Sequence, residues 1–214
     1  MSGAASAAGP GAVADYFARR YPGRRGLLPR LFRRNEEDLR EIVARLLREE
    51  GCRRILDLGC GDGVMLASAI ERPVEEIVLV DVAERNVAAA QAALAGSAAR
   101  VEGVVGDVRD YPLGGHEADL VLMLGVLDYL PDWREVLART IGEARGTLLV
   151  NLPRSDRLWH RLRRLRLAMR GIGLTRTDRG EIERVVVRTG REAEIFGDRF
   201  SWYVLCRPGG RAGC

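Results

Sequence analysis

The chain has 214 residues, enough for one domain of ordinary size, or one domain with a small cap, and needing no disulfide or metal staples. A hydrophobic share of 47% with 30% charged residues marks a globular chain, and it excludes disordered and fibrous classes. The net charge of +4 is carried entirely by arginine, 34 basic residues with no lysine, so beside abundant alanine and glycine it reads mainly as coding bias and only partly as a nucleic-acid signal.

Residues 1–34 read as a flexible tail and an amino-terminal cover. Met1 to Gly11 is rich in small residues and lacks the basic start and apolar core of a signal peptide. Tyr16, Phe17 and the basic run from Arg19 to Arg34 follow as the cover. The longest apolar run, Leu120 to Leu130, is broken by Asp128 and is too short to cross a membrane. Cys52, Cys60, Cys206 and Cys214 have no zinc spacing and no C-x-x-C pair, the usage expected of reduced thiols in a cytoplasmic protein. With only His116 and His160 available, no metal site is expected.

From Asn35 to the end, helix and strand patterns alternate. Asn35 is placed to cap a first helix, with Glu36, Glu37 and Asp38 at its positive end. Leu39, Ile42, Val43, Leu46 and Leu47 form its apolar stripe, and Gly51 stops it. Ile55 to Leu58 predicts a buried strand, followed by a glycine loop and a helix from Val64 to Glu71. A strand over Ile77 to Val80, a helix over Ala83 to Leu94 and a strand over Val101 to Val105 come next. Leu120 to Leu124 is the fourth strand, and Asp132 with Glu135 predicts a capping box on the helix after it. Thr147 to Leu152 is the fifth strand. Ser155 then opens an arginine-rich helix to about Arg170, a lid over residues 155–175, and Thr177 caps a last helix ending at Gly190. Two more strands, Glu194 to Phe196 and Ser201 to Arg207, close the chain. Continuous apolar strands separated by helices predict a doubly wound α/β fold, with a mostly parallel sheet covered by helices on both faces.

The most informative stretch is Asp57-Leu58-Gly59-Cys60-Gly61-Asp62-Gly63, between the first strand and its helix. A dinucleotide fingerprint needs its third glycine one place later, where Val64 stands. An acid two residues before the first glycine also repels a pyrophosphate, whereas it tolerates a cofactor carrying an ammonium and a sulfonium. Asp81 closes the second strand, where a carboxylate can accept both hydroxyls of a ribose. Asp107 follows the third. Three acids at the carboxyl ends of three successive strands lie where open α/β sheets bind ligands.

These motifs, with Leu120-Val121-Leu122-Met123-Leu124-Gly125-Val126-Leu127-Asp128-Tyr129, resemble those of the small-molecule type of class I (Rossmann-like) S-adenosylmethionine-dependent methyltransferases. The resemblance covers about Ile42 to Arg207. It implies a domain over 35–214, a seven-stranded sheet with an antiparallel last strand, and S-adenosylmethionine as cofactor. It also implies a cofactor site of Asp57, Gly59, Cys60, Gly61, Gly63, Asp81, Val82, Asp107, Val108 and Leu124, with Asp107 at the adenine amino group.

The acceptor is less legible. Quinone-type O-methyltransferases carry Glu and His after the fourth strand, where this chain has Gly125 and Tyr129. His160 is then the candidate base for a hydroxyl acceptor and Tyr129 an orienting group, against the plainer readings of a solvated histidine and a packed aromatic. Leu158, Leu162, Leu165 and Met169 recur at helical spacing among six arginines, which fits a docked lid or a surface for an anionic substrate, RNA or bilayer. The expected reaction is O- or N-methylation of an anionic or lipophilic small molecule. Two other readings stay open: an RNA methyltransferase, disfavoured for base amino groups because Leu124-Gly125-Val126-Leu127 lacks the Asn/Asp-Pro-Pro-aromatic motif, and a cofactor-binding partner without chemistry.

Overall fold

In the computed structural model, residues 29–155, 165, 167–169 and 173–209 are described. Their seven strands form one sheet in the order β3-β2-β1-β4-β5-β7-β6, and the described residues divide between two compact bodies. The first body holds 29–111 with 117–122; the second holds 112–116 with the residues from 123 onward.

The first body opens with helix α1, Pro29–Glu49. Asn35 therefore lies inside the helix and does not cap it. Proline suits the first helical position, because its fixed φ is helical and its missing N–H had no partner there. Of the expected stripe, Leu39, Val43, Leu46 and Leu47 are buried and Ile42 is half-buried, with Ala44 buried beside them, and Gly51, at φ 61°, ends the run. Strand β1 (Arg54–Leu58) pairs in parallel with β2 (Glu76–Asp81) and with β4 (Leu120–Met123), and β2 pairs in parallel with β3 (Arg100–Val105). The chain thus winds outward from β1 to β3 and returns on the other side of β1. Open α/β sheets of this winding take ligands at the carboxyl edge of their strands.

Helices α2 (Val64–Ala69) and α3 (Glu84–Leu94) connect these strands. Strands β1, β2 and β4 are buried almost throughout, as both-face coverage demands, whereas β3 alternates half-buried and exposed residues as an edge strand.

In the second body, a single turn of 3-10 helix (Leu127–Tyr129) precedes helix α4 (Trp133–Glu143). Asp132 occupies the cap position of α4 without capping it. Its ψ of 27° turns the side chain away from the helix N–H groups, Oδ1 is buried without a partner among the described residues, and its backbone carbonyl accepts from Glu135, at 3.1 Å. The predicted capping box is therefore not formed. Strand β5 (Thr147–Pro153) pairs antiparallel with β7 (Ser201–Cys206), and β7 pairs antiparallel with β6 (Glu194–Gly197). Helix α5 (Arg179–Thr189) is capped by Asp178, whose carboxylate accepts the Glu181 N–H at 2.9 Å, and not by the expected Thr177. Thr177 is buried instead, with its hydroxyl on the Pro153 carbonyl and its N–H on Ser155 Oγ at 2.6 Å. The Arg191 guanidinium gathers the carbonyls of Ile141, Ala144 and Gly146, satisfying acceptors that the end of α4 leaves open.

Most of the arginine-rich segment, His160 included, lies outside the described residues. At its described end the pattern differs from the expected stripe: Leu167 is fully buried, whereas Leu165 and Met169 are 63% and 73% exposed. A two-residue step turns a helix by about 200°, so these side chains lie on opposite sides.

Candidate functional site

The first body gathers nine of the expected cofactor residues. Gly59, Gly61 and Gly63 have φ of 82°, 56° and 68°, so the loop after β1 uses three left-handed positions within five residues. Side chains at these positions are strained, which explains why the loop is built of glycine. The Gly59 and Cys60 N–H groups donate to the Val80 carbonyl at 2.7 and 3.0 Å, pinning the loop to the end of β2. Gly63 has a second task. A Cβ there would stand 2.7 Å from Ala90 Cα, so its hydrogen lets α2 and α3 approach closely. Its role is packing, while Gly59 and Gly61 shape the loop.

Asp57 and Asp81 lie on neighbouring strands. Leu79 is the register partner of Asp57, so Asp81, two residues on, projects to the same face of the sheet as Asp57. Asp57 is only 3% exposed, and among the described residues no donor reaches its carboxylate. Burial, and then the nearby charge of Asp81, push its pKa up to about 7. A buried, unpartnered acid facing another acid is a receptor for a cation.

Asp81 is held differently. Oδ2 accepts the Gly61 N–H at 3.0 Å, and Oδ1 accepts the Ala83 N–H at 2.9 Å and Asn86 Nδ2 at 3.1 Å. A carboxylate offers about four acceptor sites, so three are used to orient it and Oδ2 retains one. Burial raises its pKa and these three donors oppose the rise. Asn86, 2% exposed, was not singled out in the sequence; its signal was an amide in the first turn of α3, five residues beyond Asp81.

Val82 is half-buried and Val108 buried beside their acids. The Cys60 thiol is buried as well, and desolvation with the charges of Asp57 and Asp81 keeps it protonated. Gly106 donates to the Asp81 carbonyl at 2.9 Å, which sets Asp107 beside the end of β2. Asp107 forms a forked ion pair with Arg109, whose guanidinium holds its carboxyl below the usual range. Arg109 too was missed, its signal a basic residue two places after the acid.

The second body carries Leu124 and Tyr129. Leu124 is half-buried just beyond β4, and Tyr129 is 7% exposed in the 3-10 turn. Asp128, read in the sequence only as a break in an apolar run, is 2% exposed in that turn. Thr175 holds the turn from outside: its N–H donates to the Asp128 carbonyl at 2.9 Å, and its hydroxyl to the Leu127 and Asp128 carbonyls. Asn151 at the end of β5 accepts the Gly125 N–H at 2.6 Å and so fixes the turn's entry. Among the described residues no cluster of metal ligands occurs.

Residues 55–142 match the family model of a methyltransferase domain. No curated protein sequence matches the chain. The fold is similar to that of magnesium protoporphyrin IX methyltransferase from Synechocystis PCC 6803 with bound S-adenosylhomocysteine, with a TM-score of 0.72 at 16% identity over 92% of this chain and 99% of that one. The N-methyltransferase NodS of Bradyrhizobium japonicum WM9 gives 0.66 at 14% identity, covering 92% of this chain and 97% of that one. An O-methyltransferase family protein from Burkholderia thailandensis gives 0.64 at 21% identity, covering 94% and 60%. A methyltransferase-domain model thus matches residues 55–142, and the seven-stranded mixed sheet matches the Rossmann-like fold of the solved methyltransferases.

Proposed function

We propose that this chain is a class I S-adenosylmethionine-dependent methyltransferase that methylates an oxygen or nitrogen of a small molecule, with S-adenosylmethionine held along the edge formed by Asp57, the loop 59–63, Asp81 and Asp107. The observation that carries the cofactor assignment is the buried pair of acids, one unpartnered and one with a single acceptor site left. Asp57 receives the ammonium of the amino-acid portion. The remaining site on Asp81 takes a ribose hydroxyl, and the second hydroxyl competes with Asn86 for Oδ1. Asp107 lies next along the edge, in reach of the base joined to that ribose. Bound S-adenosylmethionine supplies a methyl group activated by its sulfonium. The chain's own contribution to transfer is then chiefly positioning and exclusion of water, the terms that dominate a single in-line displacement.

The small-molecule reading is supported by the company the fold keeps, proteins whose names specify a porphyrin methyltransferase, an N-methyltransferase and an O-methyltransferase. It is also supported by the absence of the base-methylating motif at Leu124-Gly125-Val126-Leu127. Where the acceptor is a hydroxyl, His160 remains the candidate base and Tyr129 the candidate orienting group.

Calorimetry with S-adenosylhomocysteine tests the cofactor part. Asp81→Ala should weaken binding about ten- to a hundredfold, the loss of a hydrogen-bonded charge. Unchanged affinity sinks the assignment. Labelled-methyl transfer into separate small-molecule and RNA pools tests the acceptor class, with label confined to RNA as the overturning result.

A further inference from the structure

Asn151 interrupts an apolar stretch of β5, between Val150 and Leu152, and is 9% exposed. Burying an amide there is costly unless its polar atoms are used. Oδ1 is used, since it accepts the Gly125 N–H at 2.6 Å. That bond also settles which way round the amide lies, because an N–H cannot donate to the amide nitrogen. Nδ2 and its two hydrogens therefore point elsewhere, and among the described residues nothing accepts from them. Nor is Nδ2 sealed in. Among those residues the only fully enclosed side-chain nitrogen or oxygen without a partner is Asp132 Oδ1.

Fixing the turn after β4 needs only an oxygen. The amide adds a donor near the carboxyl end of β5, and open α/β sheets take ligands along that edge. On the same face of the sheet its register partner is Tyr203, which is buried and stacks on Phe196 with ring centres 5.1 Å apart. In such apolar surroundings a donor is selective, because a molecule without the matching oxygen leaves it unpaired. We infer that Asn151 Nδ2 donates to a carbonyl or carboxylate oxygen of the methyl acceptor. Asn151 is then a specificity-determining residue whose other end is tied to the turn. This rests on the small-molecule methyltransferase reading proposed above.

The test uses the full chain and two measurements, calorimetry with S-adenosylhomocysteine and labelled-methyl transfer into a deproteinised small-molecule extract of the native cells, taken through a dilution series. Asn151→Asp keeps an oxygen for the Gly125 N–H but offers no hydrogen at neutral pH. Its affinity for S-adenosylhomocysteine and its maximal rate should stay within about twofold of wild type. The extract concentration at half-maximal transfer should rise about tenfold or more, from the loss of one hydrogen bond with two oxygens left facing each other. If the buried charge keeps that variant from folding, Asn151→Leu, which loses both bonds, must show at least the same rise. Wild-type half-saturation in either folded variant overturns the proposal. So does a tenfold loss of S-adenosylhomocysteine affinity in Asn151→Asp, which would give the oxygen to the cofactor. Wild type that binds S-adenosylhomocysteine but labels nothing in the extract overturns the small-molecule reading, and this inference with it.

Discussion

The two bodies treat the same local problem, a turn at the carboxyl end of a strand, in different ways. In the first, the loop after β1 is fastened by backbone groups and packed against a helix; Gly63 has Ala90 only 2.7 Å from where a Cβ would be. In the second, Gly125 turns the chain after β4 with nearly the same left-handed φ, 71° against 68°, but into open space. Its anchors are side chains, Asn151 on its N–H and Thr175 on the turn that follows. A loop whose shape is set by backbone and steric contact tolerates little change. One held by side-chain hydrogen bonds leaves the surrounding residues freer to vary.

The sharpest way to break this comparison is to put the same side chain at both glycines. Gly63→Ala combines left-handed strain with a backbone clash and should cost about 3 kcal/mol or more, whereas Gly125→Ala should cost only the strain, about 1–2 kcal/mol. Urea unfolding of the two variants measures the gap. Equal losses would mean that the close approach of α2 and α3 relaxes freely.

A smaller effect separates function from stability at Asp57. Burial raises its pKa to about 7, so the folded chain holds that proton more tightly than the unfolded chain, whose aspartate titrates near 4. The stability contributed is complete below about pH 4 and is lost as pH rises through 7; Asp81, also raised by burial, acts in the same direction. Melting temperature without ligand should therefore fall from pH 5 to pH 8. The increment given by S-adenosylhomocysteine should grow over the same interval, because its ammonium pairs with the ionised acid. Asp57→Asn should raise the melting temperature at pH 8 and weaken binding. A ligand increment that stays flat with pH would remove Asp57 from the ammonium.

The smallest expected effect lies at α5. Asp178→Ala removes a cap and should cost about 1 kcal/mol, while Thr177→Val, at the residue expected to cap, loses only the hydroxyl's bond to the Pro153 carbonyl in β5 and keeps its N–H on Ser155. Denaturation midpoints with cofactor titration alongside would show whether either change reaches the first body.

The sequence alone determined the order of elements, the parallel winding and the placing of glycines and acids at the strand ends. Those follow from periodicity and residue type, signals written within a few consecutive residues. Helix starts were less legible. Asn35 has the right chemistry for a cap, yet the helix continues back to Pro29, and Asp132 stands at a cap with the wrong ψ to act as one. Capping is decided by backbone angles that neighbouring turns impose, and composition does not encode them. The same holds for the state of each acid. Asp57, Asp81 and Asp107 look alike in the chain, but only folding leaves the first without a donor among the described residues, gives the second donors from three residues and pairs the third with one arginine. Their chemistry depends on which groups tertiary structure brings within about 3 Å, a distance no spacing along the sequence specifies.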